Sequence, residues 1–262
     1  VTTRVDFSGN ATVYDRRHGA LLSRADADRL CEAARLRAGT KVLDVGAGTG
    51  RVAIPLADTG CAVTAVEPAT GMVAELRAKS QRSPVTVIAG EGAHLPFAAA
   101  SFDAVVIARL LYLTPDWQQI LAEARRVLVS AGSLLHEWGN GQSDEPWVQV
   151  REKARQLFES AGVTAPFHPG VRAEADVERR LEELGFVRAG GVSMGGGPVM
   201  PLAQFLQRLV DGELSYTWAI PETVRAACLP RLVSWTRQTF DIEAPTAMPR
   251  EMSWNVYRRD AA

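Results

Sequence analysis

The segment Lys41-Val42-Leu43-Asp44-Val45-Gly46-Ala47-Gly48-Thr49-Gly50-Arg51 constrains the fold more than any other stretch of the chain. An apolar strand-forming run ends in three alternating glycines, and Arg51 opens a predicted helix with apolar spacing at Val52, Ile54, Leu56 and Ala57. Glycine lacks a Cβ and tolerates positive φ, so such a loop brings bare backbone close to a ligand at the end of a buried strand. A dinucleotide site needs G-x-G-x-x-G, in which the third glycine lets the helix pack close and the helix N-terminus faces a pyrophosphate. Here the third glycine comes one residue early, at Gly50, and a bulky arginine follows. That spacing disfavours a pyrophosphate and leaves an ordinary glycine-rich βα turn as the bland reading.

The next segments sharpen the picture. Cys61-Ala62-Val63-Thr64-Ala65-Val66 reads as a second buried strand and ends at Glu67, 21 positions after Gly46. A carboxylate about 20 residues beyond the first glycine of a βαβ unit is placed to accept from ribose hydroxyls. Pro68, Ala69 and Met72, at the start of the next helix, offer an apolar wall to a base. Val85 to Ala89 is a third strand running into Gly90-Glu91-Gly92-Ala93-His94-Leu95-Pro96-Phe97, and Ser101 to Ala108 is a fourth. From its end Arg109-Leu110-Leu111-Tyr112-Leu113 extends toward the sheet edge where open α/β folds bind ligands. A helix from Pro115-Asp116-Trp117 through Val127 and a fifth strand from Val129 to Trp138 follow.

Taken in order, the G-x-G-x-G loop after Asp44, the acid at Glu67, the Gly90 to Phe97 segment, the S-F-D-x-V opening at Ser101 and the turn into the fifth strand resemble the class I S-adenosylmethionine-dependent methyltransferases. The resemblance implies an α/β fold: a doubly wound, seven-stranded, mostly parallel sheet with an antiparallel last strand. It implies that Gly46, Ala47 and Gly48 wrap the amino-acid part and ribose of the cofactor while Asp44 holds its ammonium. Glu67 would take both ribose hydroxyls, Pro68 and Met72 would flank adenine, and Arg109 would join the cofactor-binding set. Glu91 would accept from the adenine amino group and the Gly92 N–H would reach a ring nitrogen. Two departures stand out, Glu91 where Asp is commoner and Gly92 where Ala is commoner; the usual Pro-Gly-Gly turn is Ser-Ala-Gly-Ser at 130–133. The family often carries an N-terminal segment folded over the cofactor, which would make Tyr14 and Arg16 lid residues; a solvated arm with one packed tyrosine reads equally well.

The expected organisation is a single methyltransferase domain: an N-terminal helical lid over 1–38, a cofactor-binding core over 39–194, a helical cap inserted over 195–250, and a last strand over 251–262. Helices are predicted over 146–160 and 173–184, and strands six and seven over 186–194 and 251–258, forming an antiparallel hairpin as in the family. In the insert, Pro201 to Val210 is one helix, and Pro221 to Phe240 is one or two, broken at Pro230. Its Met200, Phe205, Leu209, Tyr216, Trp218, Trp235 and Phe240 either wall an organic acceptor or fill the insert's own core.

Methyl transfer is an in-line displacement that positioning alone can accelerate, so a base is needed only for an acceptor of high pKa. His136 and Glu137, near the end of strand five, are the candidate catalytic residues, although strand alternation lets only one of them face the pocket. His18 and His168 are weaker candidates. A formal net charge of −1 and a pI near 6.5 leave no electrostatic footprint for a nucleic acid. Ala108-Arg109-Leu110-Leu111 stands where enzymes methylating nucleobase amines carry a Pro-Pro-Tyr motif, and no Cys follows a Pro anywhere. Cys31, Cys61 and Cys228 are scattered and fit neither a disulfide framework nor a metal site. No apolar run approaches the roughly 20 residues that span a bilayer, and no signal-peptide core opens the chain. The expectation is a cytoplasmic monomer or homodimer without nucleic-acid or membrane partners. It would move a methyl group from S-adenosylmethionine to a small apolar or aromatic acceptor, leaving S-adenosylhomocysteine. A cofactor-binding partner protein without transfer activity, and a nicotinamide-dependent oxidoreductase, are the alternatives.

Overall fold

The computed structural model describes residues 5–138, 145–163, 169–194, 199–247 and 252–260; His168 lies outside these, as do the side chains of His18 and Tyr216. In chain order the elements are α1 (Ala11–His18), α2 (Arg24–Ala34), β1 (Lys41–Val45), α3 (Ala53–Asp58), β2 (Ala62–Glu67), α4 (Thr70–Lys79), β3 (Val85–Ala89) and β4 (Phe102–Ala108). There follow α5 (Trp117–Val127), β5 (Leu128–Glu137), α6 (Pro146–Ser160), α7 (Glu174–Glu183), β6 (Phe186–Met194) and β7 (Val199–Pro201). The last are α8 (Leu202–Val210), α9 (Glu222–Thr239), β8 (Pro245–Ala247) and β9 (Met252–Arg259). The helix expected from Arg51 begins only at Ala53, because residues 48–52 are taken up by the turn of the glycine loop. The N-terminal helical pattern is two helices: Gly19 stops α1, and Ser23 caps α2 by accepting from the Asp26 N–H at 3.1 Å.

Seven strands form one sheet in the order β3-β2-β1-β4-β5-β9-β6. β1 to β5 pair in parallel, and β9 runs antiparallel to β5. Asp260 donates its N–H to Gly185 at one end of the β9–β6 pair, while Gly191 lies against Trp254 at the other. Those two contacts set β6 and β9 in opposite directions, as the sequence led one to expect. Alternating burial explains the layers. Leu43, Val45, Val105, Ile107 and Leu134 join one apolar cluster with Leu121 and Val127 of α5 and Val177 and Leu181 of α7, while α2 and α3 also pack on the strands.

The chain divides into two compact units. One comprises Phe7–Gly139, Gly170–Met194 and Ser253–Ala262 and contains the sheet; the other comprises Val1–Asp6, Asn140–Pro169 and Gly195–Met252. α6, which the sequence groups with the cofactor core, falls in the second unit: its Trp147, Val150, Ala154 and Phe158 are buried in a cluster with Phe205, Leu206 and Leu209 of α8 and Leu229 and Leu232 of α9. Trp235 and Phe240 pack on that cluster, so these aromatics fill the unit's own core. β7 and β8 add a short antiparallel ribbon that the sequence analysis did not anticipate. α9 is one continuous helix despite Pro230, because Cys228, Leu229, Leu232 and Thr236 hold its buried face while Pro230 is exposed.

Two of the scattered cysteines meet. The Cys31 and Cys61 sulfurs both lie beside the Thr59 hydroxyl, at 3.4 and 3.5 Å, so folding makes neighbours of thiols 30 positions apart in sequence.

Candidate functional site

Strand order decides where a ligand can enter. The chain runs outward from β1 through β2 to β3 on one side and from β4 to β5 on the other, so the loops after β1 and β4 part company. Open α/β sheets bind ligands in the crevice left at such a switch point. A small cavity, open to solvent, lies there, lined by Tyr14, Asp44, the 46–49 loop, Arg51, Val52, Ala108 and Arg109.

The glycine loop is built as its spacing requires. Gly46, Gly48 and Gly50 have φ of 71°, 56° and 91°, a region that favours glycine. A Cβ on Gly46 would stand 2.8 Å from the Leu110 methyls. The Gly46 and Ala47 N–H groups bond the Val66 carbonyl at 2.8 and 3.2 Å, fastening the loop to the end of β2. Glu67 completes the fastening: Oε2 accepts from the Gly48 N–H at 2.9 Å and Oε1 from the Ala69 N–H at 3.0 Å. Burial pushes the Glu67 carboxyl upward and these two N–H donors pull against it. Each oxygen keeps a second lone pair for a ligand hydroxyl.

Asp44 differs in having an acceptor to spare. It is buried, it takes a bond from the Ala53 backbone, and its Oδ2 has no hydrogen-bond partner in the protein. Burial pushes its carboxyl up to about 7, with Arg51 pulling it down. A buried unpartnered carboxylate oxygen is costly, and a cation placed against it removes the cost.

Pro68 is exposed at the rim, whereas Met72 is a core residue, 2% exposed, and presents no surface to a base. Its place in the apolar wall therefore falls to Pro68 and Ala69. Glu91 is exposed beyond β3, near enough to raise the Glu67 carboxyl further. Glycine at position 92 has a steric reason, since a Cβ there would meet Val45 Cγ1 at 2.7 Å. On the other side, α1 lies along α4 and brings the Tyr14 ring to 3.9 Å from where a Gly48 Cβ would sit. Lys79 ties α1 down through Asp15 Oδ1 at 2.7 Å and the Gly19 carbonyl at 3.0 Å. Tyr14 is half-buried, packs edge-on against Phe7 at 6.0 Å, and has its hydroxyl pushed up to about 12 by desolvation.

Neither candidate catalytic residue lines the cavity. Glu137 is 1% exposed and held between two guanidiniums, Arg109 Nε at 2.9 Å and Arg51 Nη2. It is a counterion, and a carboxylate gripped by two cations is a poor base. His136 alternates to the opposite face of β5, is 1% exposed, and does not line the cavity. Burial pushes its imidazole down to about 4, so it is a neutral core residue at physiological pH. Arg109 reaches Glu137 from a left-handed backbone, φ 53°, a conformation that costs a non-glycine residue of order 1 kcal/mol. Arg51 was noticed in the sequence only for its bulk; the Glu137 that fixes it lies 86 positions away, beyond the reach of any local signal.

Residues 43–136 match the family model described as "Methyltransferase domain". Over that stretch the chain is similar to a methyltransferase domain. Among sequence relatives, the demethylmenaquinone methyltransferase of Beutenbergia cavernae is 41% identical over 113 residues, 41% of this chain and 46% of that protein. A malonyl-[acyl-carrier protein] O-methyltransferase of Geobacter sulfurreducens is 38% identical over 95 residues, 35% of this chain and 36% of that protein. The chain thus spans less than half the length of either relative. In fold, the chain resembles the YcgJ protein of Bacillus subtilis, with a TM-score of 0.62 at 16% identity, covering 92% of this chain and 100% of that one.

Proposed function

We propose that the protein transfers a methyl group from S-adenosylmethionine to a small organic acceptor, apolar or aromatic in character. The observation that carries this reading is the row of acids at neighbouring strand ends, Asp44 near the end of β1, Glu67 closing β2 and Glu91 just after β3, around a glycine loop with one buried carboxylate oxygen unpartnered. The residues present fit the cofactor. Asp44 takes the ammonium, Glu67 the ribose hydroxyls, Glu91 and the Gly92 N–H the adenine edge, and Pro68 with Ala69 its face.

When bound, the cofactor supplies an electrophilic methyl group on a sulfonium. The protein's part is to fix the geometry and exclude water. Tyr14 and α1 close the cavity over Gly48, while Tyr112 and Trp138, edge-to-face at 6.1 Å, give the acceptor an aromatic surface beyond Arg109. With Glu137 neutralised and His136 buried, neither candidate base serves, which suits an acceptor that loses its proton readily. Of the relatives named above, the demethylmenaquinone methyltransferase has an acceptor in keeping with this reading, whereas the malonyl-[acyl-carrier protein] O-methyltransferase has a charged, protein-borne one.

Calorimetry on cofactor-stripped protein should detect binding of both S-adenosylmethionine and S-adenosylhomocysteine, and absence of both sinks the proposal. Labelled-methyl transfer into a metabolite extract, followed by mass identification, then names the acceptor. The withdrawal of both candidate bases also favours a second reading, cofactor binding without transfer; its signature is tight binding, lost on Glu67→Ala, with no labelled product.

A further inference from the structure

Cys31 and Cys61 are both free thiols, neither lines the ligand cavity, and the proposed reaction makes no use of them. We propose that the two are a modification site, which a hydroperoxide joins in a disulfide that closes a covalent ring around the glycine loop. The inference stands apart from the methyltransferase reading and does not depend on it.

The fold gathers the two sulfurs on one hydroxyl. Thr59, at the end of α3, lies 3.4 Å from Cys31 Sγ and 3.5 Å from Cys61 Sγ, and is fixed by donating to the Leu56 carbonyl at 2.7 Å. The thiols also hydrogen-bond each other. That bond lowers Cys61 to about 6 and, with burial, raises Cys31, so near neutral pH the pair holds one proton and one sulfur is a thiolate, the nucleophilic form. Cys31 is half-buried and gives a small oxidant access, whereas Cys61, 3% exposed, is closed to a bulky one. The thiolate attacks one peroxide oxygen; the O–O bond breaks, hydroxide leaves, and the sulfur becomes a sulfenic acid. The remaining thiol attacks that sulfur, forming S–S as S–O breaks, and its proton departs with the displaced hydroxide as water. Two electrons pass from the sulfurs to the peroxide oxygens. The ring so closed, residues 31–61, contains β1, the 46–50 loop and α3, and its bond lies where α2 packs on α3. A cross-link of that span removes chain entropy from the unfolded state and so fastens the segment that builds the ligand cavity.

The test treats the whole, pre-reduced chain with hydrogen peroxide under native conditions, alkylates the remaining thiols after unfolding, and maps the peptides by mass spectrometry. The expected product is one bond between Cys31 and Cys61 of the same chain, two hydrogens lighter than the reduced pair and reversed by dithiothreitol. Cys228 serves as the internal control: buried in the other unit against the Leu157 carbonyl at 3.6 Å, it should be recovered alkylated. The joined chain should melt about 5–10 °C above the reduced one, as expected for a ring of this length. Cys31→Ser and Cys61→Ser should each lose both the bond and the rise; should either fail to fold, the parent's own peptide map and melting decide. Recovery of Cys31 and Cys61 both alkylated, a bond found only between chains or to Cys228, or a joined chain that melts no higher than the reduced one overturns the inference. None of these outcomes bears on the methyltransferase reading, which binding of S-adenosylhomocysteine to the reduced chain tests separately.

Discussion

Replacing Asp44 by asparagine should make the ligand-free protein more stable while disabling its cofactor site. The carboxyl rises from an ordinary 3.8 to about 7 on folding. Because the folded state holds the proton more tightly than the unfolded chain, the associated stability is complete below about pH 4 and is lost as pH rises toward and through 7. At about 1.4 kcal/mol per unit, Asp44 costs the fold roughly 4 kcal/mol at pH 8, where it is buried ionised, and roughly 2 at pH 5.5, where it must take up a proton to fold. Asparagine keeps nearly the same shape and never ionises. Urea unfolding of the two proteins should therefore show a stability gap in favour of Asp44→Asn that widens by about 2 kcal/mol between pH 5.5 and 8. Ligand binding should move in the opposite sense. Only about 3% of Asp44 is ionised at pH 5.5, so S-adenosylhomocysteine should bind about 30-fold more weakly there than well above pH 7, and Asp44→Asn should flatten that dependence. A gap that does not change with pH, or an affinity equally steep in the variant, refutes the assignment of Asp44 as a buried carboxylate awaiting a cation.

Three further outcomes are expected. Glu67→Gln turns one of two acceptors for the Gly48 and Ala69 N–H groups into a donor; it should lower stability by about 1–3 kcal/mol in thermal or urea unfolding and weaken cofactor binding at least tenfold. Lys79→Met cuts the tether from α4 to Asp15 and the Gly19 carbonyl, and hydrogen exchange should quicken in α1 while the amides of β1 and β4 stay protected. Pro230→Ala, at an exposed position inside α9, should raise stability by about 1–3 kcal/mol, since alanine restores a helical N–H and removes the ring's clash with the preceding turn.

What the sequence made legible was local. The β-branched runs at 62–66 and 85–89, the glycines at 46, 48 and 50, and the acids that close their strands each carry their meaning within a few residues, and the sheet and its order follow from them. What stayed hidden depended on pairs distant in sequence. Glu137 looks like a base until Arg51 and Arg109 are found on it, His136 until its face of the strand is known, and Met72 like a wall until α4 buries it. Cys31 and Cys61 look unrelated until α2 sets one beside the other. Pro230 reads as a helix break because local propensity says so; the apolar side chains on either side of it, buried in a core the sequence does not delimit, override that preference.

The opposed run of β6 and β9 bears on how such a protein can change over generations. The chain leaves the sheet at the end of one strand and comes back at the start of the strand beside it, so the excursion over 195–251 is already closed by the sheet's own ladder. Doubling its length would cost only about 0.6 kcal/mol in chain entropy, which a sheet of this size absorbs. Selection can therefore rewrite, lengthen or exchange that segment while the glycine loop and its acids stay untouched, letting the cofactor half and the variable half of the molecule evolve at different rates.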